Sequence, residues 1–337
     1  MPKKLTRRPP PDRSQSLRRA FQVGFLGLNV WIGAQFYLFV RHYESGGTTV
    51  AFSRPPGVEG WLPIASLMNL KALAFTGEFP RIHPAGTLLL IAFLATSWIF
   101  RKSFCSWLCP VGTISEYLAG LGRAIFRRNF RPPRWLDIGL RGVKYLLLTF
   151  FVWIIGAMPV IAIRQFLGGP YGVIDDVRML NFFRQMELSG GIVMVLLIFG
   201  SIFVQNFWCR YFCPYGALMG LVSLASPLRI RRSSDLCIDC AKCSKACPSS
   251  LAVDKLITIQ SAECTGCLEC IASCPSQGAL ILSAPRGKSV PYWAVALGIG
   301  ALLFGAYAYG LASGHWKTDL PDSLYFRLIP HADEFAH

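Results

Sequence analysis

The chain has 337 residues, 34 Lys and Arg against 18 Asp and Glu for a formal charge of +16, and 12 cysteines. Its mean hydropathy is +0.42, and charged residues make up only 15%, which excludes an ordinary soluble enzyme and a secreted disulfide scaffold. Most of the basic residues flank apolar runs, so the positive charge reads as a topology signal rather than a nucleic-acid surface.

In chain order, a basic tail over 1–20 leads into an apolar run at 21–40, and Arg18-Arg19 reads as its topogenic flank. No small-x-small cleavage site follows, so this run reads as an uncleaved anchor. Further apolar runs at 85–100, 143–162, 190–208 and 290–312 give about five expected spans, the second one short for a hydrocarbon core of ~30 Å. Basic clusters lie in the tail, in 101–141 (including Arg127 and Arg128) and in 229–232. With the N-terminus inside, all three fall on the cytoplasmic face, and the C-terminus lies on the periplasmic one. The expected organisation is a tail (1–20), a four-span membrane domain (21–228), an inserted module (229–286), a fifth span (287–312) and an external tail (313–337).

The first two pairs of spans each end in the same motif. SFCSWLCPVG carries Cys105 and Cys109, and NFWCRYFCPYG carries Cys209 and Cys213; both are C-x-x-x-C-P-x-G. An offset of 104 residues superimposes them, along with Ser97 on Ser201, which suggests a 2+2 parallel repeat. Cysteines at i and i+4 share a helical face. The proline after each second cysteine favours a helix start, with that cysteine near the N-cap, where a thiol pKa is lowered. Three readings stay open for these four thiols: a further metal or Fe-S site, a redox-active dithiol, or packing. After Pro110, Ile114, Tyr117, Leu118, Leu121 and Ile125 recur at helical spacing beside Arg123, which suggests a helix lying along the anionic inner surface.

The module between spans four and five holds the other eight cysteines. Cys237, Cys240, Cys243 and Cys247-Pro248 form one C-x2-C-x2-C-x3-C-P run, and Cys264, Cys267, Cys270 and Cys274-Pro275 form a second. This is the spacing of a bacterial α+β ferredoxin with two [4Fe-4S] clusters, whose fourth ligands are exchanged. One cluster then takes Cys237, Cys240, Cys243 and Cys274, and the other takes Cys264, Cys267, Cys270 and Cys247. Zinc sites place their C-x2-C pairs well apart, unlike these runs. Clusters and free thiols persist in a reducing cytoplasm, in agreement with the charge-based topology.

With GVEGWLPIASLMNLKALAFTGEFPRIHPAGTLLL, the two C-x-x-x-C-P motifs and the two-cluster module, the chain resembles the membrane polyferredoxins of the NapH, NosR and CcoG type. The resemblance runs from about residue 20 to 312 and is nearest to compact NapH-like members. It implies an inner-membrane iron-sulfur subunit passing electrons between the quinone pool and partner redox proteins, such as a periplasmic cytochrome or reductase, rather than a stand-alone enzyme. For quinol oxidation, Glu78 and His83 are candidate proton acceptors, with Asp175 and Asp176 a weaker second candidate, against the alternative that Glu78 and His83 merely solvate a loop end. A copper-handling assembly factor and a redox-sensing regulator are the alternatives. Membrane lipid is an expected partner and nucleic acid is not.

Overall fold

In the computed structural model, residues 12–127 and 129–335 are described. The expected tail up to residue 11 and Arg128 therefore lie outside them. The helices are α1 (Ser14–Glu44), α2 (Pro63–Thr76), α3 (Pro84–Ile99), α4 (Pro110–Phe126), α5 (Arg134–Ala157), α6 (Val160–Gly168), α7 (Pro170–Val173) and α8 (Asp175–Arg184). They continue with α9 (Leu188–Phe203), α10 (Phe207–Tyr211), α11 (Pro214–Ser223), α12 (Lys242–Ala246), α13 (Glu269–Ala272), α14 (Tyr292–Ala312) and α15 (Asp322–Leu328).

Each of the five expected apolar runs is helical, as α1, α3, α5, α9 and α14, but they do not all have the length of a simple span. By length and composition α1, α5 and α14 are long and apolar enough to cross a membrane. Helices α8 and α9 pass together but meet at a bend of 81°. Helix α3 is apolar but only 16 residues long, about 24 Å at 1.5 Å per residue. Helix α1 starts at Ser14, inside the segment expected to be a tail.

The chain divides into two compact units. Among the described residues, the first comprises 12–26, 93–127, 129–148 and 196–302 and contains all twelve cysteines; the second comprises 27–92, 149–195 and 303–335. In the first unit, strands β1 (Arg229–Arg232), β2 (Thr258–Ile259) and β3 (Leu280–Ser283) form an antiparallel sheet in the order β2-β1-β3. Ile230 faces Ile259 on one side and Leu282 on the other, and all three are buried. The sheet closes the ends of the cysteine-rich segment on each other, which suits a ferredoxin-like α+β module. In the second unit, Phe36, Phe39, Tyr43 and Tyr325 form an aromatic core with Ile174 and Leu328. A second core gathers Leu62, Met68 and Ile163.

Candidate functional site

The eight module cysteines line two cavities, four to each. Cys237, Cys240, Cys243 and Cys274 line one cavity of about 20 Å3. Cys247, Cys264, Cys267 and Cys270 line another of about 20 Å3. The short helices α12 and α13 present Cys243 and Cys270, and Ala241 and Leu268 at their N-caps adopt left-handed backbone, with φ of 52° and 62°. Those turns bring separate parts of each run round one cavity. Four soft thiols from two runs on one small cavity fit a cubane cluster. Among the described residues, no three His, Cys, Asp or Glu groups stand at the spacing of a single ion.

The four remaining cysteines also come together in the first unit. Cys109 and Cys213 are the N-caps of α4 and α11, with Pro110 and Pro214 at the first helical position. The Cys213 thiol accepts from the Gly216 amide at 3.2 Å. The two motifs differ in their first turn: Phe104–Leu108 is a π-helical turn, while α10 is α-helical. Gly112 is the consequence on the first side, because a Cβ there would meet the Cys105 carbonyl oxygen at 2.3 Å. At Gly216 the nearest contact would be an ordinary 3.5 Å.

Burial reverses the expected thiol acidity. It pushes Cys105 up to about 11, against the opposing charges of Lys102 and Lys144. It pushes Cys109 up to about 12, aided by Cys105 and opposed by the amides of Gly112 and Val111. Cys209 and Cys213 are raised by the same cause. The helix N-termini act as expected, but desolvation is larger. Desolvation thus works against thiolate at all four positions, whereas a reactive dithiol needs accessible thiolate.

The module stands on both thiol motifs. On the first, Ser106 Oγ donates to Thr265 O at 2.6 Å and Trp107 Nε1 donates to Gly266 O at 3.2 Å. Gln15 Nε2 donates to Cys267 O at 2.9 Å. Buried Arg18 pairs with Glu116 at 2.7 Å and Glu269 at 2.8 Å, so it is an internal tie as well as a basic flank. On the second, Arg210 donates to both Asp137 oxygens at 2.8 and 2.9 Å and to Pro248 O at 3.4 Å. Tyr211 Oη donates to Asp137 at 2.7 Å. The loops so held are those of Cys247 and of Cys264 to Cys270. A cavity of about 40 Å3 between them is lined by Cys105, Cys209 and Cys267, with Lys102 and Glu263 on its wall. Burial alone would raise Glu263, but Lys102 and Lys144 hold it below the usual carboxylate range.

The expected proton acceptors are placed apart in character, both in the second unit. Glu78 is exposed and pairs with Arg164 at 2.6 Å. His83 is buried, with Nε2 at 3.0 Å from Asp175 and Nδ1 at 3.6 Å from Glu59. Arg54 bridges Glu59 at 2.6 Å and Asp176 at 2.7 Å, and Thr318 Oγ1 donates to Glu59 at 2.8 Å. Burial would lower His83, but Asp175 and Glu59 push it up to about 10. Burial would raise Glu59, but His83 and Arg54 hold it at about 2. His83 thus already carries its proton at neutral pH. Sequence reasoning found His83 and the two aspartates but missed Arg54, Glu59 and Thr318. Their only signal was a charge, Glu59, within an apolar stretch.

The family described as a 4Fe-4S binding domain matches residues 82–133 and 187–233, the two stretches that hold the four motif cysteines. A 4Fe-4S dicluster domain matches residues 229–275. The Escherichia coli (strain K12) protein named "Putative electron transport protein YccM" is 47% identical over 326 residues, 95% of this chain and 91% of that protein. The chain belongs to the membrane polyferredoxin family of the NapH and NosR type. The polyferredoxin is also similar to the ferredoxin-type protein NapH of E. coli (strain K12), at 25% identity over 69% of this chain and 74% of that one. Similarity to the regulatory protein NosR of Pseudomonas aeruginosa is 26% over 56% of this chain and 26% of that one. No solved structure matches the polyferredoxin. It is an iron-sulfur, electron-transport protein of a membrane.

Proposed function

We propose that this polyferredoxin carries electrons between the quinone pool and partner redox proteins, among them a periplasmic cytochrome or reductase, in a bacterial inner membrane. In this reading the module is cytoplasmic, the C-terminus is periplasmic, and Cys105, Cys109, Cys209 and Cys213 hold a third iron-sulfur centre beside the two of the module. When bound, such clusters accept and release single electrons. The protein's own residues fix the spacing. Trp107 and Ser106 hold one loop of the Cys247 set, Arg210 holds the other, and Lys102 and Lys144 supply positive charge beside thiols that must ionise to become ligands. The set of Cys237, Cys240, Cys243 and Cys274 includes the exposed Cys240, which suits exchange with a soluble partner.

The observation that carries this reading is the docking of both loops of the Cys247 set onto the two thiol motifs, with one cavity touching Cys105, Cys209 and Cys267. The 4Fe-4S binding family match over 82–133 and 187–233, which contain both motifs, supports the same reading. The half-buried thiols, raised by desolvation, suit a cluster better than a dithiol, because metal binding supplies the cation that desolvation otherwise lacks. The test is reoxidation. Dithionite-reduced protein in detergent should regain its oxidised cluster absorbance on adding a soluble ubiquinone, and a quadruple Cys→Ser variant of the four motif positions should be at least tenfold slower. Equal rates in the two proteins would refute the relay.

A further inference from the structure

Beside the docked module lies a larger cavity that the electron-transfer reading does not use. It is open, measures about 310 Å3 and is lined by Arg123 of α4, Arg131, Arg210 and Lys245 of α12, with Glu269 and Phe130. The single carboxylate is already engaged, since Glu269 pairs with Arg18 at 2.8 Å. Arg210 is matched by Asp137. Among the described residues, no carboxylate forms an ion pair with Arg123, Arg131 or Lys245. Arg131 Nη2 instead donates to the Lys245 carbonyl at 3.0 Å, which fixes the wall without spending its charge. The cavity therefore gathers more cations than its one carboxylate, Glu269, can balance.

Its apolar side points to the kind of anion. Phe126, Phe130 and Phe203 pack as a triad, with ring centroids 5.2 to 6.1 Å apart, and each ring remains 37 to 40% exposed. They adjoin helix α4, whose Ile114, Tyr117, Leu121 and Ile125 are also exposed, forming an apolar face of an amphipathic helix. A soluble anion needs only the cations. A molecule with a phosphate and acyl chains matches both sides at once.

We propose that this cavity is a binding site for the headgroup phosphate of an anionic phospholipid, with Arg123, Arg131 and Lys245 on the phosphate and the phenylalanine triad against an acyl chain. Because Arg123 and Arg131 belong to the membrane-adjacent segment and Lys245 to the module, a bound lipid ties the module to that segment through charge.

The test is native mass spectrometry of the full chain in detergent, titrated separately with phosphatidylglycerol, phosphatidylcholine and inorganic phosphate. Wild-type protein should retain one phosphatidylglycerol in preference to phosphatidylcholine. An Arg123→Gln, Arg131→Gln double variant should bind it at least tenfold more weakly at unchanged iron content. A charge-matched Lys255→Gln, Lys288→Gln variant, with its changes at exposed residues away from the cavity, should bind as wild type does. Equal retention of the two lipids, or equal loss in both double variants, would overturn the site. Displacement of phosphatidylglycerol by millimolar phosphate would make it a soluble-anion site and overturn the lipid assignment. If the Arg double variant loses iron, Arg123→Gln alone carries the same comparison.

Discussion

Gly112 shows how tightly single residues constrain the thiol motifs. A Cβ there would meet the Cys105 carbonyl oxygen at 2.3 Å, so Gly112→Ala must displace either α4 or the π-helical turn. Overpacking of this kind typically costs ~1–3 kcal/mol. Gly216→Ala meets nothing closer than 3.5 Å and should stay near wild type. Thermal melts and iron content of the two variants check the difference, and equal behaviour would mean that the two turns are equivalent. Asp137→Asn is the second residue-scale case. It removes the carboxylate that Arg210 holds through two nitrogens, and breaking such a buried pair costs ~3–5 kcal/mol. Denaturant unfolding should register that loss. The legibility of these residues follows from distance along the chain. The two cysteine runs of the module are readable because their C-x2-C-x2-C-x3-C-P spacing is local. Arg210 and Asp137 lie 73 residues apart, and nothing in either neighbourhood announces the pairing.

At the scale of elements, the clearest case is the network that joins the loop of Arg54 and Glu59, the turn at His83, the start of α8 and the segment at Thr318. Folding holds Glu59 at about 2, below its ordinary 4.5, so its contribution is present above pH 4.5 and lost as pH falls towards 2. Folding holds His83 at about 10, above its ordinary 6.5, so its contribution is full below pH 6.5 and lost as pH rises through 10. The melting temperature in detergent should therefore peak between about pH 4.5 and 6.5, and His83→Gln should flatten the alkaline limb. An alkaline limb unchanged by that substitution would contradict the assignment. Sequence reasoning placed Glu78 with His83 because they are five residues apart. The fold instead buries His83 among residues contributed by other loops, and leaves Glu78 outside with Arg164. The five apolar runs were legible as helices because apolar length is a local property. The 81° bend between α8 and α9 was not, since a run of apolar residues carries no record of direction across Gln185 to Glu187.

Across the whole molecule, three thiol sets lie in one unit: the outer module set with Cys240, the inner module set with Cys247, and the four motif cysteines beneath it. The order was only partly legible. The chain order separates the motifs from the module by tens of residues, and only the hydrogen bonds of Ser106, Trp107 and Arg210 reveal that the Cys247 set, not the Cys237 set, faces the motifs. For the four motif thiols we propose a metal site over a dithiol or packing, on the approach of Cys105 and Cys209 to one cavity beside Cys267. Iron and acid-labile sulfide per chain, measured on anaerobically purified protein, test this most directly. Two [4Fe-4S] clusters give about eight irons and a third gives about twelve. The account predicts a reproducible excess above about eight in the wild-type protein, lost when Cys105, Cys109, Cys209 and Cys213 are replaced by serine. About eight irons in both proteins would contradict a third centre.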